Sequence, residues 1–182
     1  STTVRLQPGI HTFKVEYFNN GAGSTARFGY TAEVVVNAPT SLQETNWIEE
    51  RFKGSPDQLI RVGNLTFRRP TYDELFSNPT SVQPVANINY FNSLTAPITV
   101  RWIKTVTLTE IYEFAFRLVT DDGMRFYIND TLTMNEWRQQ DDKTATKNVI
   151  LTPGVYTFRV EYYNHEAGST AKFSYTPTLI LQ

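Results

Sequence analysis

Two adjacent carboxylates followed by glycine, Asp121-Asp122-Gly123, are the most chemically loaded residues of this 182-residue chain. Carboxylate oxygens are hard donors of the kind calcium takes. In an ordinary strand neighbouring side chains point to opposite faces. Both could therefore reach one cation only where the backbone is kinked or the peptide between them is cis. The same triplet also makes a good tight turn with no ligand at all, and the local residues leave both readings open.

The chemistry available elsewhere is narrow. Cysteine is absent, which removes disulfides, thiol catalysis and thiolate metal sites. The two histidines, His11 and His165, lie far apart in no metal-ligand spacing. There is no nucleophile–base–orienter set and no phosphate loop, so the chain reads as a non-enzyme. Asp141-Asp142 and Glu49-Glu50 read as solvated charge. Seventeen basic against eighteen acidic residues, a net charge of −1, offer no basic face to nucleic acid or to an anionic membrane. No apolar run approaches the roughly 18 residues of a membrane span, which argues against membrane insertion.

The elements that must position these groups are strands. Residues 4–31 align with residues 149–176 without a gap at an offset of 145, with 18 of 28 positions identical; this is a duplication. Tyr112, Phe114, Phe116 and Leu118 alternate with polar or small neighbours, as do Tyr156, Phe158, Val160 and Tyr162, which is the period of half-buried strands. Residues 98–107 and 171–181 are further strands, rich in β-branched and aromatic residues. Only 71–76 has the makings of a helical turn, and 53–93 reads as loop-rich. The expectation is an all-β antiparallel sandwich or barrel over 47–182. A linker at 37–46 and an additional N-terminal β-hairpin at 1–36, duplicating 149–182, precede it. A sequence that begins mid-unit suggests either a slice of a tandem array or a subunit carrying a spare terminal segment.

The run Val119 to Asp130 around the aspartate pair, with Val100-Arg101-Trp102 before it and Trp137, the Pro153-Gly154 turn and Val160-Glu161-Tyr162-Tyr163 after it, resembles the protective-antigen domain family. That family of β-sandwiches is found in bacterial adhesins, yeast flocculins and some glycosidases. The resemblance is strongest over 99–175 and looser over 47–95, and 4–31 resembles the family's final strands alone. It implies that Asp121 and Asp122 hold calcium and that the ion coordinates sugar hydroxyls. In such a sandwich the loop Asn164-His165-Glu166-Ala167-Gly168 lies near the pair. It would complete the coordination through the Asn164 amide oxygen, the Glu166 carboxylate or backbone carbonyls. His165 is a candidate ligand contact and equally an exposed loop residue. A sugar needs an aromatic platform beside polar groups; Trp137, Tyr163 and Tyr127 are the candidates by position. Trp102 and Trp137 also match positions that are structural in the family.

The resulting expectation is an extracellular or cell-surface adhesion module that binds glycans with calcium and comes from a repeat-containing protein. The alternative is a structural subunit of an extracellular filament, joined head to tail by addition of the 1–36 strands to a neighbour. A third possibility is an accessory module of a secreted glycosidase.

Overall fold

In a computed structural model, residues 12, 14–16, 27–29, 41–63, 66–166 and 168–180 are described. The chain divides into two units, Ser1–Asn37 and Ala38–Gln182. The expected N-terminal hairpin at 1–36 lies, apart from residues 12, 14–16 and 27–29, outside the described residues.

The elements of the second unit run β1 (Leu42–Glu44), β2 (Trp47–Lys53), β3 (Ile60–Val62), β4 (Thr66–Arg68), α1 (Tyr72–Leu75), β5 (Ser81–Val85), β6 (Ile88–Phe91), β7 (Ile98–Leu108), β8 (Tyr112–Asp121), β9 (Gly123–Ile128), β10 (Thr131–Glu136), β11 (Lys143–Leu151), β12 (Gly154–Asn164) and β13 (Thr170–Leu179). One sheet has the order β10-β9-β12-β7-β2-β5, with β1 joined to the end of β7; a second has the order β11-β8-β13-β6. All pairings are antiparallel. Neither sheet closes on itself, so of the two expected architectures the structure is the sandwich. Among the described residues no helix is long and apolar enough to cross a membrane.

The two-residue period explains the core. In β8 the side chains of Tyr112, Phe114, Phe116, Leu118 and Thr120 are buried while their neighbours are not. They meet Phe126, Phe158, Val160 and Tyr162 from the facing strands β9 and β12, with Phe173 beside them on β13. Phe114 and Phe116 each lie edge-on to Phe158, with centroids 5.7 and 5.5 Å apart, the arrangement aromatic quadrupoles favour.

The strand order corrects two expectations. The C-terminal copy of the duplicated stretch is not a hairpin. Strand β12 lies in the larger sheet between β7 and β9, and β13 lies in the smaller sheet between β8 and β6. Each carries one apolar face, and facing one core from opposite sheets buries both. Part of the expected linker is also structured: β1 pairs Leu42 with Leu108, and the Glu44 carboxylate accepts from the largely buried Lys104 ammonium at 2.9 Å.

Of the stretch 53–93 read as loop-rich, β5 and β6 are strands of the two sheets, and the part before them forms a cover on the outer face of the larger sheet. The ribbon β3–β4 leads into α1, whose start is a capping box. Thr71 Oγ1 accepts from the Glu74 N–H at 3.3 Å, and the Thr71 N–H donates back to Glu74 Oε2 at 2.7 Å. Arg68 grips the same carboxylate with both terminal nitrogens at 2.7 Å and, with the Thr71 N–H, holds Glu74 down to a pKa of about 2. The helix sets Leu75 and Phe76 on Phe52, with Trp137 packed alongside, as a second small core. Below it runs a row of alternating charge fixed by strand register, Glu50 beside Arg101, Arg101 beside Glu161, Glu161 beside Arg125. Arg101 and Arg125 donate to Glu50 and Glu161, each at 2.6 Å, and the Tyr72 hydroxyl donates to Glu161 at 2.6 Å.

Glu49, expected in solvent, points into the sandwich and its side chain is 0% exposed. Register places it opposite Trp102, whose indole N–H donates to it at 2.8 Å. Arg51 and Gln83 donate at 2.7 and 2.9 Å, and the Tyr90 hydroxyl also donates. Burial alone would raise its pKa; the donors from Tyr90, Arg51, Gln83 and Trp102 outweigh that and hold it below the ordinary 4.5. Removing the acceptor strands four donors, so Glu49→Ala should cost about 3 kcal/mol or more. It would appear in denaturant unfolding as an earlier midpoint with an unchanged slope. A lowered folded-state pKa means that Glu49 stabilises fully above about pH 4.5 and loses that contribution as pH falls through its folded value. The stability gap between wild type and Glu49→Gln should therefore narrow as the solution is acidified below about pH 4.5.

Candidate functional site

Strand β8 ends at Asp121 in the smaller sheet and β9 begins at Gly123 in the larger one. The chain thus passes between sheets through Asp122, and the Asp121–Asp122 peptide bond is cis. Both aspartates line one cavity of about 270 Å³, together with Gln139, Gln140, Asp141, Asn164 and Glu166. The two loops that the sequence singles out therefore do meet.

Asp122 is buried and held from two sides. The His165 backbone N–H donates to Oδ2 at 2.8 Å and the Gln140 N–H to Oδ1 at 3.3 Å. The Gln140 side chain straps the loop down, donating to the carbonyls of Asp122 and Glu136 at 3.2 and 3.1 Å. Asp121 is anchored through its carbonyl, which accepts from the Tyr162 hydroxyl at 2.5 Å. Burial pushes the Asp121 carboxyl pKa up, and the charges of Asp122, Asp142 and Asp141 push it the same way. Excess negative charge of this kind is relieved by a cation.

Asn164 is buried, and its Nδ2 donates to the carbonyls of Gly168 and Leu94 at 2.7 and 3.4 Å. With the amide nitrogen committed, Oδ1 is the atom left to act in the cavity. Glu166 is exposed on the rim. Among the described residues no three His, Cys, Asp or Glu side chains gather closely enough to hold a metal. Asp121, Asp122 and the Asn164 oxygen are hard oxygens of the kind calcium takes, and Glu166 lines the same cavity from its rim.

The expected aromatic platform is placed differently. Tyr163 is only 1% exposed, has Trp137 packed against it at 4.8 Å, and lines the cavity next to that of the aspartates. Trp137 is half-buried, lies 4.1 Å from the Arg125 guanidinium carbon, and lines a neighbouring cavity of about 470 Å³. Tyr127 is away from the aspartates, under Arg159 at 4.3 Å. His165 contributes its backbone N–H; its ring is turned to Ser55, with Nδ1 and Oγ 2.8 Å apart. Gln140 and Ser55 carry no motif and are not visible in the sequence, because their roles depend on which loops come together.

A family model described as the PA14 domain matches residues 97–180. Residues 97–180 belong to the PA14 family. Strands β2, β5 and β6 precede the matched stretch and complete the two sheets. A PA14 sugar-binding domain from an RTX adhesin superposes with a TM-score of 0.53 at 14% identity, over 72% of this chain and 89% of that one. An anti-sigma factor domain-containing protein superposes with a TM-score of 0.54 at 20% identity, over 74% of this chain and 45% of that one. Among curated sequences, the anti-sigma-I factor RsgI3 of Acetivibrio thermocellus is 30% identical over 78 residues. That match takes in 42% of this chain and spans 12% of the relative's length. The structural likenesses show the fold.

One residue beside the aspartate pair has no room for change. A Cβ on Gly123 would stand 2.0 Å from Tyr163 Cε1, and Tyr163 faces it directly across β9 and β12. Gly123→Ala should destabilise the domain by about 1–3 kcal/mol, read as a lowered thermal midpoint. Pairing it with Tyr163→Leu should recover part of that loss, because the clash is removed.

Proposed function

We propose that this PA14 domain is a glycan-binding adhesion module of an extracellular or cell-surface protein. Asp121, Asp122 and the Asn164 Oδ1 hold a calcium ion in it. The observation that carries the reading is the single cavity gathering both carboxylates and a buried amide whose nitrogen is already committed. Calcium takes roughly six to eight oxygens; three side chains leave positions for backbone carbonyls and for two hydroxyls of a sugar. When bound, the ion supplies an electrostatic anchor for those hydroxyls. The chain's own groups set its orientation. The N–H groups of His165 and Gln140 fix the Asp122 carboxylate, and Asn164 is locked by its two donated bonds. The sugar-binding PA14 domain of the RTX adhesin supports the ligand class.

Calorimetric titration tests the metal. Wild type should bind calcium with a dissociation constant of about 10⁻⁴ M or weaker, the range of extracellular sites. Asp121→Asn with Asp122→Asn should abolish the heat, and Asn164→Leu should weaken binding severalfold. Equal heats in wild type and the double variant would remove the site. A glycan array probed with calcium and again with chelator tests the ligand: signals that vanish on chelation are expected, and a blank array would sink the glycan assignment.

A further inference from the structure

The carboxylate cavity has a larger neighbour of about 470 Å³, and Gln139 lines both. We propose that this second cavity is a subsite for the next unit of a glycan whose first unit sits at the aspartate pair. The inference rests on the glycan reading above and deepens it: the ligand is an oligosaccharide, and the covering loop selects it.

The chemistry of the walls is that of a neutral sugar ring. Such a ring has an apolar face and a rim of hydroxyls, each both donor and acceptor. Pro56, Pro70 and Trp137 give the cavity apolar surface. Asp57 Oδ1 and Arg69 Nη1 lie 3.2 Å apart, placing an acceptor beside a fork of donors, the pattern that adjacent hydroxyls satisfy. Their charges cancel, and Arg138 at the rim is paired with Glu136 at 3.2 Å. The cavity therefore lacks the surplus positive charge that would favour an acidic ligand, and it contrasts with the carboxylate-rich cavity next door. Together the two spaces fall in the size range of ligand sites, roughly 300–1,000 Å³.

The wall is also built in advance. The covering loop is fixed below by the Phe52, Leu75 and Phe76 cluster and at its start by the Ser55–His165 bond at 2.8 Å. His165 ties the covering loop to the aspartates: its backbone N–H holds Asp122 and its ring holds Ser55, the residue before Pro56 of the cavity wall. A ligand spanning both would meet a fixed spacing, and little ordering would remain to oppose binding.

The test uses the full chain with saturating calcium. A sugar that binds on the array is titrated as the monosaccharide and as the di- and trisaccharides ending in it. Wild type should bind the oligosaccharide about tenfold more tightly than the monosaccharide. Arg69→Ala and the shape-preserving Asp57→Asn should each bring the oligosaccharide down toward the monosaccharide value. Monosaccharide affinity, calcium affinity and thermal midpoint should stay where they were. Equal affinity for both sugars in wild type, or variants that weaken both sugars alike, would overturn the subsite. A blank array alongside a normal calcium heat would overturn it while leaving the metal site standing. Oligosaccharide preference that persists in chelator and is lost in Arg69→Ala would remove the calcium reading and keep the subsite.

Discussion

Passage of the chain from one sheet to the other through Asp122 is the constraint to which the candidate site answers. Two packed sheets stand about 10 Å apart, and a connection this short leaves no slack. Residues 121–123 must lie at the end of the sandwich, with Asp121 held in register with Thr170 on one side and Gly123 with Tyr163 on the other. That brings the start of β13 and the end of β12 to the aspartates, and with them the loop between those strands. The meeting of Asp121, Asp122 and Asn164 in one cavity is a product of strand register more than of loop conformation. A site built this way is as rigid as the sheets that carry it.

Much of this was legible in the residues. The alternation in β8 and β12 depends on the nearest neighbours alone, and a period of two identifies a strand with one buried face whatever its partners. The aspartate pair is chemically loaded in itself, whereas Asn164 was legible only through the resemblance that sets its loop beside the pair; the structure places all three on one cavity. Periodicity is silent, however, on which sheet a strand joins. That is why β12 and β13 read as a hairpin: each has the same apolar pattern, and only packing over long sequence distances assigns them to opposite sheets. Glu49 and Glu50 were misplaced for a related reason. Adjacent charges on a strand look solvated until Trp102, Tyr90 and Gln83 arrive from strands 34 to 53 residues away. Gln140 and Ser55 carry no signal at all, since a glutamine or serine acquires its role from the loop it happens to face.

The covering loop shows how a sheet with a charged outer row can nonetheless be buried. Arg101 and Arg125 satisfy Glu50 and Glu161 along their planar edges and offer their flat faces to Phe52, Phe76 and Trp137. A guanidinium does both at once because its donors lie in the plane and its faces are weakly hydrated. Lysine in the same register could pair with the glutamates but would leave the aromatic rings without a flat partner. The loop's hold on the sheet, and through Ser55 its hold on the loop beside the aspartates, thus depends on arginine in particular.

The placement of β12 and β13 also governs when this domain can exist. Each is an interior strand, flanked on both sides in its own sheet, and they are the last two of the domain to leave the ribosome. Until residues 154–179 have emerged, β7 and β9 have no strand between them, and β8 and β6 likewise stand apart. Neither layer can close, and Phe114 and Phe116 lack Phe158, the ring to which both lie edge-on. The unfinished chain must be kept from pairing with others through those open edges. Closure then joins both sheets in one late step, so the domain should mature as a whole and not strand by strand.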